Sequence, residues 1–122
     1  MSKYYKVKKV SDGIYILKNT FANMVLAVGR DRALLFDTGF GFADLKTAVE
    51  EITELPLYVV NSHGHFDHMG GNCYFNEPAY IHEKDLELAK LHSSPEYRAY
   101  AYDDAKKIQR ILFFLPCIPN SL

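Results

Sequence analysis

Six residues, His63-Gly64-His65-Phe66-Asp67-His68, place three imidazoles and a carboxylate directly behind a short apolar run, Leu57-Tyr58-Val59-Val60. This pairing constrains the fold more than any other feature of the chain. A near-continuous apolar run reads as a strand buried on both faces, and the histidines follow it across only Asn61-Ser62. The polar cluster therefore stands where a strand leaves a sheet. Neutral imidazole and carboxylate oxygen are the ligands that Zn²⁺, Fe²⁺ and Mn²⁺ take in hydrolytic sites. At the chain's own His and Asp frequencies the pattern arises by chance in roughly one such sequence in two thousand, so a solvated, histidine-rich turn is a poor account of it.

Upstream, the chain reads as short strands. Asp12-Gly13 is a turn signal followed by Ile14-Tyr15-Ile16-Leu17, and Met24-Val25-Leu26-Ala27-Val28 stops at Gly29. Arg30-Asp31-Arg32 is a polar turn, and Ala33-Leu34-Leu35-Phe36 follows. Three such strands joined by tight turns predict an antiparallel meander. Asp37-Thr38-Gly39-Phe40-Gly41 closes the third strand with a polar, glycine-bearing loop. Phe42, Leu45, Val49 and Ile52 then recur at helical spacing, with Pro56 as the expected stop. The order strand, helix, strand, cluster predicts an α/β fold, with one mixed, mostly antiparallel sheet flanked by helices.

After the cluster, Ala79-Tyr80-Ile81 is a short β-like run, and the chain turns helical from Glu83. Leu86, Ala89 and Leu91 line a first helix, and Ser93-Ser94-Pro95 starts a second, with proline suited to the first turn. Tyr97, Ala101, Ala105, Ile108, Leu112 and Leu115 form a plausible buried stripe on it.

Composition narrows the partners. A chain of 122 residues with 48% hydrophobic and 24% charged residues is an ordinary globular sequence. A net charge of -1 gives no electrostatic case for nucleic acid or an anionic membrane. The basic N-terminus lacks the apolar run of a secretory signal, and the longest apolar stretch, Ile111 to Ile118 with Pro116 inside it, is too short to span a bilayer. Cys73 and Cys117 form no CxxC pair and suggest no disulfide framework. Two unpaired thiols suit a reducing compartment, so the expected location is cytoplasmic.

The cluster's spacing has chemical content. His63 and His65 lie two apart on a segment leaving a strand, so their side chains point the same way and can reach one ion. Gly64 between them can tolerate a strained turn. Asp67 and His68 are adjacent, point in different directions, and suit a second ion. Two-metal sites lower the pKa of a bound water and offer hydroxide as a nucleophile near neutral pH.

Ser62-His63-Gly64-His65-Phe66-Asp67-His68-Met69-Gly70-Gly71-Asn72 resembles the signature loop of the metallo-β-lactamase-fold hydrolases, and Leu35-Phe36-Asp37-Thr38-Gly39 resembles that superfamily's first motif. The resemblance covers nearly the whole chain. It implies an αββα-type fold and a metal-dependent hydrolase acting on a small molecule: an ester, thioester, lactone, β-lactam or phosphodiester. It implies that His63 and His65 bind a first ion and Asp67 and His68 a second. Asp67 also orients the nucleophilic water, which makes it the catalytic candidate. Asp37 would hold ligand imidazoles by hydrogen bonds, a role preferred to that of an aspartate that merely closes a turn. Gly70 and Gly71 would allow close packing after the loop. The expected metal is zinc, up to two ions in a complete domain, with iron and manganese as the other candidates.

The same resemblance implies three further ligands, a His, a bridging Asp and a last His, from the C-terminal half of a domain about twice this long. Only His82 and His92 follow the cluster. His82 reads as an exposed helix-start residue, and His92 as a helix-end residue in a favourable dipole position. Residues 1–122 are thus expected to be the N-terminal portion of such a domain, with four of the usual seven ligands and one of two sheets, and inactive alone. An uncovered sheet would expose a large apolar surface. A partial sequence, a truncated product, and a half-domain completed by a partner or a second copy are the three explanations. Rival readings are a non-catalytic remnant that binds metal weakly and an interaction module built on Tyr97-Arg98-Ala99-Tyr100-Ala101-Tyr102, against which ordinary packing of that stripe is preferred.

Overall fold

A computed structural model describes residues 4–19, 22–41 and 43–109, with residues 102 and 104–109 described as helix backbone only. Six strands form one sheet in sequence order among these residues. They are β1 (Lys6–Ser11), β2 (Ile14–Lys18), β3 (Asn23–Val28), β4 (Ala33–Phe36), β5 (Leu57–Val60) and β6 (Ala79–Tyr80). The first three pairings are antiparallel, and β4 with β5 and β5 with β6 are parallel. The meander predicted from the turn residues is present as β2, β3 and β4. Missing from the sequence reading was β1, whose Lys-rich residues are exposed throughout and show no alternation to read.

Helices α1 (Leu45–Glu50), α2 (Phe66–Met69), α3 (Leu86–His92) and α4 (Pro95–Gln109) complete the fold. Asp44 caps α1, its carboxylate accepting the Thr47 N–H at 3.2 Å and the Thr47 hydroxyl at 2.6 Å. Leu45, Ala48 and Val49 on that helix pack with Leu17, Met24, Leu26, Leu35 and Val59 of the sheet. Burial of each large apolar side chain there contributes roughly 1.5–3 kcal/mol. Ile52 packs on the core from beyond the helix, and Phe42, expected on the same face, lies outside the described residues. The helix ends well before Pro56, because the Ile52 and Thr53 N–H groups both turn back to the Val49 carbonyl.

Among the described residues, helix α1 covers one face of the sheet and the other carries exposed apolar side chains. Leu35 and Val59 are fully buried against α1, whereas Leu34, Phe36, Tyr58 and Tyr80 are 37%, 39%, 42% and 51% exposed. Register aligns the exposed side into two cross-strand rows, Ala27–Leu34–Tyr58 and Val25–Phe36–Val60–Tyr80. The prediction that β5 is buried on both faces therefore fails at Tyr58, while the predicted uncovered apolar sheet surface is present.

The C-terminal helices also depart from their predicted faces. On α3 only Ala89 is buried, and Leu86 and Leu91 are exposed. Proline opens α4 as predicted, with the Ser94 hydroxyl accepting the Tyr97 N–H. Of its predicted stripe, Tyr97 and Ala101 are half-buried, Leu112 and Leu115 lie outside the described residues, and so do the side chains of Ala105 and Ile108. Cys73 Sγ lies 3.6 Å from the Gly70 carbonyl oxygen, and Cys117 lies outside the described residues.

Candidate metal centre

Two strand ends meet at the site. Asp37 leaves β4 and Ser62 leaves β5, and the parallel pairing of those strands sets the two side by side. The Asp37 N–H donates to the Val60 carbonyl at 2.7 Å. Its backbone sits at φ 70°, a left-handed conformation rare outside glycine but better tolerated by Asp than by most residues. That turn directs a carboxylate only 4% exposed toward the cluster. One oxygen accepts the Ser62 N–H at 2.7 Å, and the other accepts the Ser62 hydroxyl at 2.8 Å. The second oxygen also lies 3.0 Å from His68 Nδ1.

These bonds assign the imidazole protons. A carboxylate oxygen accepts only, so His68 Nδ1 carries a hydrogen and donates it to Asp37. Ser62 has one hydroxyl hydrogen, given to Asp37, and the Ser62 oxygen lies 2.8 Å from His63 Nδ1. His63 Nδ1–H therefore donates to Ser62. In a neutral ring with its hydrogen on Nδ1, Nε2 is the free nitrogen, the form in which imidazole ligates a metal.

Donor atoms of His63, Asp67 and His68 all lie within 4.8 Å of one another, a group that could hold a metal ion. Their softness and charge, two neutral imidazoles and a carboxylate, suit zinc and its neighbours. Spacing alone pairs His63 with His65 and Asp67 with His68. In the structure His63 groups with Asp67 and His68 instead, and the Asp67 carboxylate approaches His68 Nε2 at 3.6 Å. Helix formation explains this, since α2 begins at Phe66 and turns the Asp67 and His68 side chains back toward His63. His65 is exposed at the edge, its ring centroid 4.7 Å from that of His63.

The loop is held from behind. Asn61 and Asn72 pair through reciprocal amide bonds of 2.7 and 3.1 Å, and Thr38 donates to the same Asn72 oxygen at 2.7 Å. Thr38 N–H donates to the His68 carbonyl, and Gly70 N–H to that of Gly39. A Cβ on Gly70 would stand 2.2 Å from the Phe40 carbonyl oxygen, so glycine is required for this close approach. Gly64 does not adopt a left-handed backbone. Its missing Cβ instead admits α3, with the Ala89 nitrogen 2.7 Å from where that atom would be.

Three supporting residues escaped the sequence reading: Ser62, Arg98 and His92. Arg98 is buried on α4, donates to the Gly70 carbonyl at 2.9 Å and lies 4.7 Å over the Phe66 ring. His92 does not simply end α3. Its Nδ1 accepts the Phe66 N–H at 2.9 Å, and its ring stacks on His65 and Tyr97. Burial first, then His65, push its imidazole below the usual histidine range, with Asp67 pulling the other way. His82 is exposed and accepts the Lys84 N–H, as a helix-start residue should. Tyr97 packs among Phe66, His92 and Tyr100, while Tyr100 is 68% exposed. Among the described residues no helix is long and apolar enough to cross a membrane.

Comparison with known proteins draws these observations together. Residues 17–112 match the family model of the metallo-beta-lactamase superfamily. The chain is 30% identical over 106 residues to the acyl-coenzyme A thioesterase MBLAC2 of Homo sapiens, an alignment covering 72% of this chain and 38% of that protein. For the Gallus gallus protein of the same name the figures are 28% over 123 residues, 88% and 43%. Among solved structures, the metallo-beta-lactamase from Pontibacter korlensis superposes with a TM-score of 0.63 at 24% identity, covering 74% of this chain and 49% of that one. TMB-1 superposes with a TM-score of 0.63 at 18% identity, covering 74% and 48%. The chain spans less than half the length of these relatives.

Proposed function

Because this chain belongs to the metallo-beta-lactamase superfamily, we propose that residues 1–122 are the N-terminal, metal-ligating portion of a metal-dependent hydrolase that cleaves acyl thioesters. The observation that carries this reading is the convergence of the His63, Asp67 and His68 donors within 4.8 Å, with His68 oriented by buried Asp37. The thioester preference rests on relatives named as acyl-coenzyme A thioesterases. Further ligands come, in this reading, from a second portion of the domain, as expected from the share of the relatives' length that the chain matches.

His63, His65, Asp67 and His68 would hold zinc. When bound, zinc supplies Lewis acidity toward the acyl carbonyl and makes water a nucleophile near neutral pH. The chain's own residues do the arranging. Asp37 and Ser62 hold the His63 and His68 rings by their Nδ1 hydrogens, which keeps both Nε2 atoms free. Asp67 orients the attacking water by accepting its hydrogen bond. The backbone bonds from Thr38 to His68 and from Gly70 to Gly39 keep these groups in place.

Hydrolysis of acyl-coenzyme A by the whole protein, followed through thiol release, tests the reading. The expected result is zinc-dependent turnover reduced at least about a hundredfold by Asp67→Asn or His63→Ala. Undiminished turnover in both variants would refute it, as would a whole protein that binds zinc stoichiometrically but leaves acyl thioesters intact. A non-catalytic remnant predicts the opposite pattern, substoichiometric zinc and no hydrolysis.

A further inference from the structure

The cluster opens on a helix too short to hold itself. α2 has four residues, and its N-cap, His65, makes no side-chain bond to the helix backbone. The first N–H groups of a helix have no partner within it and must find one elsewhere. Here the Phe66 hydrogen goes to His92, twenty-six residues away, at 2.9 Å. His92 reaches it because α3 lies against Gly64, where any Cβ would meet the Ala89 nitrogen at 2.7 Å and the Asp85 carbonyl oxygen at 2.9 Å. Its ring is then fixed on two sides, stacked 5.4 Å from His65 and 4.2 Å from Tyr97 between centroids.

We propose that His92 is a positioning residue for the ligand loop. Its Nδ1 accepts the first N–H of α2 from outside the helix, and the His65 imidazole, which makes no capping bond, is left to ligate metal. The capping bond fixes the start of the turn that swings Asp67 and His68 back onto His63. Its consequence for metal affinity rests on the metal-site reading above, while its consequence for the loop backbone does not.

Two variants of the full chain separate the acceptor from the ring. His92→Phe keeps a stacking ring and removes the acceptor. His92→Asn removes the ring and keeps an acceptor, its Oδ1 standing as many bonds from Cα as Nδ1 does. Two quantities are read: exchange of the Phe66 backbone amide in metal-free protein by nuclear magnetic resonance, and zinc affinity by competition with a chromophoric chelator. The Phe variant is expected to speed Phe66 exchange about five- to tenfold and to weaken zinc about ten- to a hundredfold. The Asn variant is expected to hold both near the wild-type values. Wild-type exchange at Phe66 in the Phe variant would overturn the proposal. So would an Asn variant in which Phe66 has lost its protection, a result that decides the matter even where the Phe variant does not fold. A wild-type chain that binds no zinc, yet shows the expected exchange responses, would refute the metal reading and sustain the capping role.

Discussion

Asp37 places three hydrogen bonds on two oxygens, and two of them run to the residue before the histidines. A left-handed backbone at a non-glycine residue costs of order 1–3 kcal/mol unless its surroundings hold it. Those bonds, with the Asp37 N–H to Val60, do so. Substituting Asn at position 37 keeps the backbone tolerance and one acceptor but sets an amide hydrogen against His68 Nδ1–H. Asp37→Asn is therefore expected to fold, and to bind zinc about ten- to a hundredfold more weakly. Chelator competition measures this, and unchanged affinity would show that Asp37 only closes a turn. The position was legible through the resemblance of Leu35-Phe36-Asp37-Thr38-Gly39 to the superfamily's first motif. Its φ was not legible, and neither were Ser62 and His92 as supporting residues. Each of those roles depends on a contact between distant segments that no local spacing encodes.

At the level of elements, α3 seated against Gly64 ties the second half of the described chain to the loop. Gly64→Ala puts a methyl where the Ala89 backbone stands. Backbone cannot yield as a side-chain tip can, so a loss of about 1–3 kcal/mol is expected, measured by urea denaturation. A stability equal to wild type would mean that α3 does not rest there. Leu35→Ala, in a fully buried position on β4, is expected to cost about 2–5 kcal/mol by the same measurement. Elements with strong local signals were readable: β2 to β5 by their apolar runs, α1 by its spacing, α4 by Ser94-Pro95. Faces were less so. Leu86 and Leu91 read as core on α3, yet the helix approaches the loop so closely that only Ala89 fits between them.

The whole molecule carries an asymmetry that its strands already announced. One sheet face is packed by α1, and the other displays Leu34, Phe36, Tyr58 and Tyr80. Exposed apolar surface of this kind marks an interface rather than a solvated wall. The isolated 122-residue chain is accordingly expected to bind a hydrophobic reporter dye in its folded state, and the double variant Phe36→Thr, Tyr58→Thr to bind much less at similar stability. Equal dye binding would place the exposed apolar surface elsewhere. Family membership was legible because two short motifs stand in order on a recognisable strand–helix–strand frame. Substrate was not, since the His63, Asp67 and His68 group and its supports do not distinguish one substrate from another.

The central claim, that the cluster is a metal centre, is tested most directly by the zinc content of the chain. Wild-type protein and the variant His63→Ala, His68→Ala would be dialysed against zinc and then against metal-free buffer, and zinc and protein measured together. The account predicts about one zinc or more per wild-type chain and near-complete loss in the variant. Equal zinc in the two proteins, whether full or negligible, would contradict it.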